Sequence, residues 1–141
     1  MNFEELKRIA EKVGRPSPAA EEAGNLYRSA IALADQGDFN SALDTADKIR
    51  HLDFNLRTGF RDEAYIYIVS RMASVGATDR ALALCAVIES SAHRDGAYAW
   101  IAYSLATKEL WEEARSAAGL IEERRRREEV AAAIDQRKLP W

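Results

Sequence analysis

Two histidines and one cysteine are the side chains of this 141-residue chain best suited to nucleophilic, acid–base or metal chemistry. A zinc site draws its ligands from short paired spacings, and a nucleophile needs a base that the fold can bring within hydrogen-bond reach. His51 and His93 stand in neither pattern. His51 falls at an expected helix end, where a cation-capable side chain suits the negative pole of the dipole. Cys85 occupies a position that its counterparts elsewhere in the chain give to alanine, so it reads as a small buried side chain. The chain contains no Gly-rich phosphate loop, no HExxH and no GxSxG. The acidic pairs Glu4–Glu5, Glu21–Glu22 and Glu112–Glu113 are adjacent on helices, so their side chains diverge and do not form an acid–base dyad. No catalytic residue, metal or cofactor is expected.

The run "EERRRREE" at 122–129 is the strongest concentration of charge. Arg124, Arg125, Arg126 and Arg127 would form a basic patch for a nucleic acid only if they pointed one way, together with Arg115 and Arg137. Successive residues of a helix point about 100° apart. Each arginine also has an opposite charge four residues away: Glu122 with Arg126, Glu123 with Arg127, Arg124 with Glu128, Arg125 with Glu129. A self-neutralised helix is the expectation. The formal net charge of −3 argues the same way, since phosphate binding needs a clustered basic surface.

Composition narrows the class. Apolar residues make up 48% and charged residues 30%, which places the chain among globular proteins rather than disordered or membrane ones. The apolar runs are broken well before the roughly 20 residues that span a bilayer. "MNFEELKRIAEKV" carries acids early and has no apolar core of the signal-peptide kind. One cysteine makes no internal disulfide. A single cytoplasmic domain without a membrane partner is the expectation.

The elements that position these residues read as helices throughout. Prolines occur only at 16, 18 and 140, and apolar residues recur at three- and four-residue steps, as in Leu26, Ala30, Leu33 and Ala34 or Ile101, Leu105 and Ala106. "YIYIV" at 65–69 has strand composition, but its setting in "DEAYIYIVSRMASVG" makes it helical. Ser17 and Pro18 mark a helix start, and Gly37 marks a left-handed end with Asp38 capping the next helix. Gly76 and Thr78 repeat that punctuation. The expected helices cover 2–13, 18–36, 39–51, 60–75, 78–90, 94–107, 110–124 and 127–136.

A longer period lies over the helical one. "GDFNSA" at 37–42, "GATDRA" at 76–81 and "ELWEEA" at 109–114 align. In that register Ala42, Ala81 and Ala114 coincide, followed by Ala46, Cys85 and Ala118, then Ile49, Ile88 and Ile121. Upstream, Leu33, Met72 and Leu105 align, each followed by alanine. Small residues at such positions let helix axes approach closely. The longer first spacing comes from extra residues in "RHLDFNLRTGF".

Pattern and period together resemble the tetratricopeptide repeat, a helix–turn–helix unit of about 34 residues. The resemblance covers about residues 22–127. "GDFNSA" carries the family's glycine–aromatic–alanine turn in full; Trp111 keeps the aromatic in the third unit, where Glu109 replaces glycine, and Gly76 is kept in the second, where Thr78 replaces the aromatic. The resemblance implies an all-α, right-handed solenoid of about three units with capping helices at both ends. In one domain, 1–16 would be an N-terminal helix and linker, 18–53 unit one, 60–91 unit two, 94–124 unit three and 127–137 a capping helix. It also implies that the first helix of each unit lines a concave face. Carried over, that face holds Tyr27 and Ile31, Ile66 and Ser70, then Ala99 and Tyr103, with Tyr67 and Trp100 beside them and Arg28 and Arg71 as nearby cations. Such an apolar, aromatic groove suits another protein or peptide, or a second copy of the chain, held by a non-enzymatic adaptor, chaperone or inhibitor. A nucleic-acid-associated repeat using the arginine helix is the alternative.

Overall fold

A computed structural model of the chain describes residues 2–14, 18–50, 52 and 59–140. The expectations for Ser17, His51 and most of the long connection before Gly59 lie outside the described residues. Within them the structure is all-α, with eight helices and no strand: α1 Phe3–Gly14, α2 Pro18–Asp35, α3 Phe39–Asp47, α4 Phe60–Ser74, α5 Thr78–Cys85, α6 Ser91–Thr107, α7 Trp111–Ala118 and α8 Arg124–Asp135.

Helix ends follow local chemistry. Asp38 is the N-cap of α3, its carboxylate accepting from the Ser41 amide at 3.3 Å, as the sequence suggests. Ser90 caps α6 in the same way, accepting from the His93 amide. Thr78 is not a cap. It is the first residue of α5, whose N-cap Ala77 offers no side-chain acceptor. The short helices α3, α5 and α7 also end several residues before the boundaries that periodicity predicts. Their last turns tighten to i→i−3 bonds, with the amides of Ile49, Ile88 and Ile121 donating to Ala46, Cys85 and Ala118. That tightening carries each isoleucine into the core, where all three are at most 1% exposed.

The same C-terminal turn closes α2, α4 and α6. The amides of Gly37 and Asp38 donate to Ala34 and Leu33; those of Gly76 and Ala77 to Ala73 and Met72; those of Glu109 and Leu110 to Ala106 and Leu105. This crossed pair of bonds needs a left-handed residue. Gly37 and Gly76 supply it at φ +81° and +93°, but Glu109 adopts φ +62° with a β-carbon to accommodate. Left-handed backbone costs a non-glycine residue about 1 kcal/mol, partly offset by the greater freedom of glycine in the unfolded chain. Glu109→Gly is therefore expected to raise the melting temperature by about 2 °C, a shift measurable by circular dichroism.

Helices α2, α4, α6 and α8 touch in succession, and α3, α5 and α7 each lie between two of them. Alanines make this possible. Ala42, Ala46, Ala81, Ala114 and Ala118 are all fully buried, as is Cys85. The larger core side chains, Ile68, Val69 and Met72 from α4 and Ile101 and Leu105 from α6, fill the spaces the alanines leave. By contrast, Phe3, Leu6 and Ile9 of α1 are exposed.

Candidate functional site

The aromatic residues singled out in the sequence fall into two neighbouring groups. In the first, Tyr27 of α2 sets its ring 5.5 Å from that of Phe60, tilted by 32°. Tyr67 of α4 donates its hydroxyl to the Asp35 carboxylate at the end of α2, and Arg71 Nε lies 3.5 Å from the same oxygen. The Asp35 hydrogen bond is the largest influence raising the Tyr67 phenol above its ordinary range, with burial and the Asp35 charge adding to it. In the second group, Trp100 and Tyr103 of α6 meet edge to face at 6.4 Å and 84°. Burial raises the Tyr103 phenol; the Arg126 charge works against that rise and the Glu129 charge adds to it.

Ile66 and Gly96 connect the two groups. A β-carbon added at Gly96 would lie 3.6 Å from both Ile66 Cδ1 and Arg126 Nη2, so Ile66 is engaged between α4 and α6. Ile31 is half-buried. Ser70 turns its hydroxyl back onto its own helix, donating to the Ile66 carbonyl at 2.7 Å. Ala99 is buried at 4% exposure. Trp100 is the most open of the aromatics in this region, at 47%.

The arginine run is tied down in four directions. Arg124 and Arg125 pair with Glu128 and Glu129 at 3.0 and 3.2 Å, as the four-residue spacing predicts. The pairs expected for Arg126 and Arg127 do not form, because a helix starts where the sequence suggests an end. Glu123 is the N-cap of α8 and accepts from the Arg125 and Arg126 amides. Arg126 instead donates to the Ala92 carbonyl at 3.4 Å, and Arg127 to the carbonyls of Ile121 and Glu122. Arg115 pairs with Asp135, and the Arg137 guanidinium stacks 3.7 Å over Trp111.

The candidate reactive groups sit among structural contacts. Cys85 is buried, its sulfur 3.3 Å from the Ala81 carbonyl, and burial pushes its thiol up to about 12. A thiolate is correspondingly disfavoured there. His93 Nδ1 lies 3.8 Å from Asp62 Oδ2, outside hydrogen-bond reach. Among the described residues, no group of three His, Cys, Asp or Glu is placed to hold a metal ion, and no helix is long and apolar enough to cross a membrane.

The polar residues that do the most structural work are ones periodicity does not reveal. Asp62 of α4 is 8% exposed and accepts from the amides of Glu89 and Ser90, at 3.2 and 3.0 Å. Asp95 of α6, 3% exposed, accepts from the amides of Glu122 and Glu123, at 2.8 and 3.1 Å. Each carboxylate thus reaches past the intervening short helix to hold the amides that begin the next long one. The arginines beside them both bind carbonyls of the connection that leads into α6: Arg61 that of Val87, Arg94 those of Ile88 and Glu89. The signal is present as "RDEA" at 61–64 and "RDGA" at 94–97, in the register of the alanines. A charged pair near a helix start reads first as a solvated face, which conceals it. No family of known proteins matches this chain, and no curated protein or solved structure shows significant similarity to it.

Proposed function

We propose that this chain is a non-enzymatic interaction module, a divergent tetratricopeptide-like solenoid of about three helical pairs. It holds a segment of another protein against the face formed by α2, α4 and α6. The observation that carries this reading is the aromatic row: Tyr27, Tyr67, Trp100 and Tyr103 stand on successive long helices, and Trp100 remains half-exposed in edge contact with Tyr103. Rigid aromatics with one open side are the residue types that anchor partner segments, because they bring large contact area with few rotamers to immobilise. A cytoplasmic location and a partner that is another protein or peptide, or a second copy, belong to the same reading. The engagement of Arg124 to Arg127 with glutamates and carbonyls weighs against the nucleic-acid alternative.

Affinity capture from a lysate of the native host, at low and high salt, tests the proposal with Trp100→Ala and Tyr103→Ala as comparisons. A protein partner that persists at high salt should be weakened at least about tenfold by either change, while helicity is unchanged. Retention of that partner by both variants would exclude this face. Recovery of nucleic acid at low salt only, indifferent to both variants, would transfer the function to α8.

A further inference from the structure

The contacts joining successive long helices are not equivalent. Between α4 and α6, and again between α6 and α8, a buried carboxylate grips the backbone amides of the next helix start: Asp62 and Asp95. At the position of α2 that aligns with Asp62 and Asp95 stands Ala23, fully buried and without a polar group. What ties α2 and α3 to α4 and α5 is different in kind. Asp47 accepts from Arg61 at 3.3 Å and from the Tyr65 hydroxyl at 2.7 Å. Asp35 takes the Tyr67 hydroxyl and Arg71, Asn40 takes Arg80, and Arg50, just after α3, pairs at 3.1 Å with Glu89 in the connection after α5. The α2–α3 partners in these contacts are open to solvent, with side-chain exposures of 52% for Asp47, 49% for Asp35 and 66% for Arg50.

The fully enclosed side chains that α2 itself brings to the core are also small. The fully buried residues of α2 are Ala23, Ala30 and Ala34, whereas α4 commits Tyr65, Ile68, Val69 and Met72. Apolar stabilisation scales with the area buried, so these alanines add little each, and the larger apolar contacts come from the partly buried Tyr27 and Leu33 and from Leu43 and Ile49 further on. Exposed ion pairs such as Asp35–Arg71 and Arg50–Glu89 contribute little each and weaken as salt shortens the Debye length from about 10 Å at 0.1 M toward about 3 Å at 1 M. Buried carboxylate–amide bonds are screened far less, and of the polar partners named at this joint only Arg61 and Tyr65, which bind Asp47, are buried.

We infer that the joint between α2–α3 and α4–α5 is a salt-sensitive hinge, across which α2 and α3 open as a unit while α4, α5 and α6 remain folded. Helical stacks behave as chains of nearest-neighbour contacts, so a weak joint sets the boundary of a cooperative opening unit. Opening here would part Tyr27 from Tyr67 and so change one end of the aromatic face. The inference concerns the mechanics of the chain and does not depend on what that face binds.

Native-state hydrogen exchange of the full chain, at about 0.05 M and about 0.5 M sodium chloride, tests it. Amides of α2 and α3 are expected to exchange faster than those of α4 and α6, and to quicken about tenfold at the higher salt while α4 and α6 change less than about twofold. Asp35→Ala should quicken α2 and α3 about tenfold and leave α6 as it was. A single exchange rate from α2 through α6 at both salts would overturn the hinge. So would an Asp35→Ala variant in which all helices quicken together, because that is the signature of global unfolding.

Discussion

Ala114→Glu is expected to unfold the protein or bring it close to unfolding. Ala114 is fully buried where α7 lies against α6, as are Ala42 and Ala81 at the aligned positions. Ala114 is wholly shielded from solvent, so a longer side chain there must displace its neighbours and bring its carboxylate into an apolar contact. Burying an unpaired charge, or moving the helices apart to wet it, costs several kcal/mol. Against a total stability of about 5–15 kcal/mol, that is a large fraction. Thermal melting followed by circular dichroism should show a fall of more than about 10 °C. Ala132→Glu is the matched control, since Ala132 is exposed on α8 and the same chemistry there should move the melt by no more than about 2 °C. A melting temperature for Ala114→Glu equal to that of the control would remove the basis for the helix crossings described above.

Asp95→Ala is the second change expected to be severe, through hydrogen bonding rather than volume. Both oxygens of this buried carboxylate are in use, accepting from the Glu122 and Glu123 amides at 2.8 and 3.1 Å. Those amides lie at the start of α8, so the carboxylate also offsets the positive end of the helix dipole. A hydrogen bond to a charged group contributes about 1.5–3 kcal/mol, and leaving its partner unsatisfied adds a desolvation cost. Water can reach part of this connection, because Glu122 and Glu123 are exposed. Taken together, a loss of about 3 kcal/mol is expected, read as a lower urea midpoint at unchanged slope. Asp95→Asn should fall between wild type and Asp95→Ala, since its amide oxygen still accepts one bond while its NH2 group faces the other donor. If Asp95→Ala matches wild type in urea, the carboxylate does not hold α8 to the stack.

Much of the fold is legible in the amino-acid sequence. Three- and four-residue apolar steps give helices, Gly37 and Gly76 give their left-handed ends, and Asp38 caps α3 because its carboxylate reaches an amide three residues on. These are local facts, set by the geometry of one helical turn. So are the pairs Arg124–Glu128 and Arg125–Glu129. The aligned alanines and isoleucines mark the contact surfaces as well, since a buried small residue and a buried branched one leave a pattern in composition.

The candidate face was legible only in outline. The tetratricopeptide resemblance implies that Tyr67, Ser70 and Trp100 share a face, but not that Tyr67 is committed to Asp35, that Ser70 bonds to its own helix, or that Arg126 crosses to Ala92. Nor does it reveal that Asp62 and Asp95 hold amides 27 and 28 residues away. Sequence alone determined that the chain is helical, the left-handed ends at Gly37 and Gly76 and the Asp38 cap, because period and turn chemistry act within a few residues. Tertiary structure decided the partners of the polar side chains. A carboxylate takes whichever donor the neighbouring helix brings within 3 Å, and that distance depends on how the helices pack.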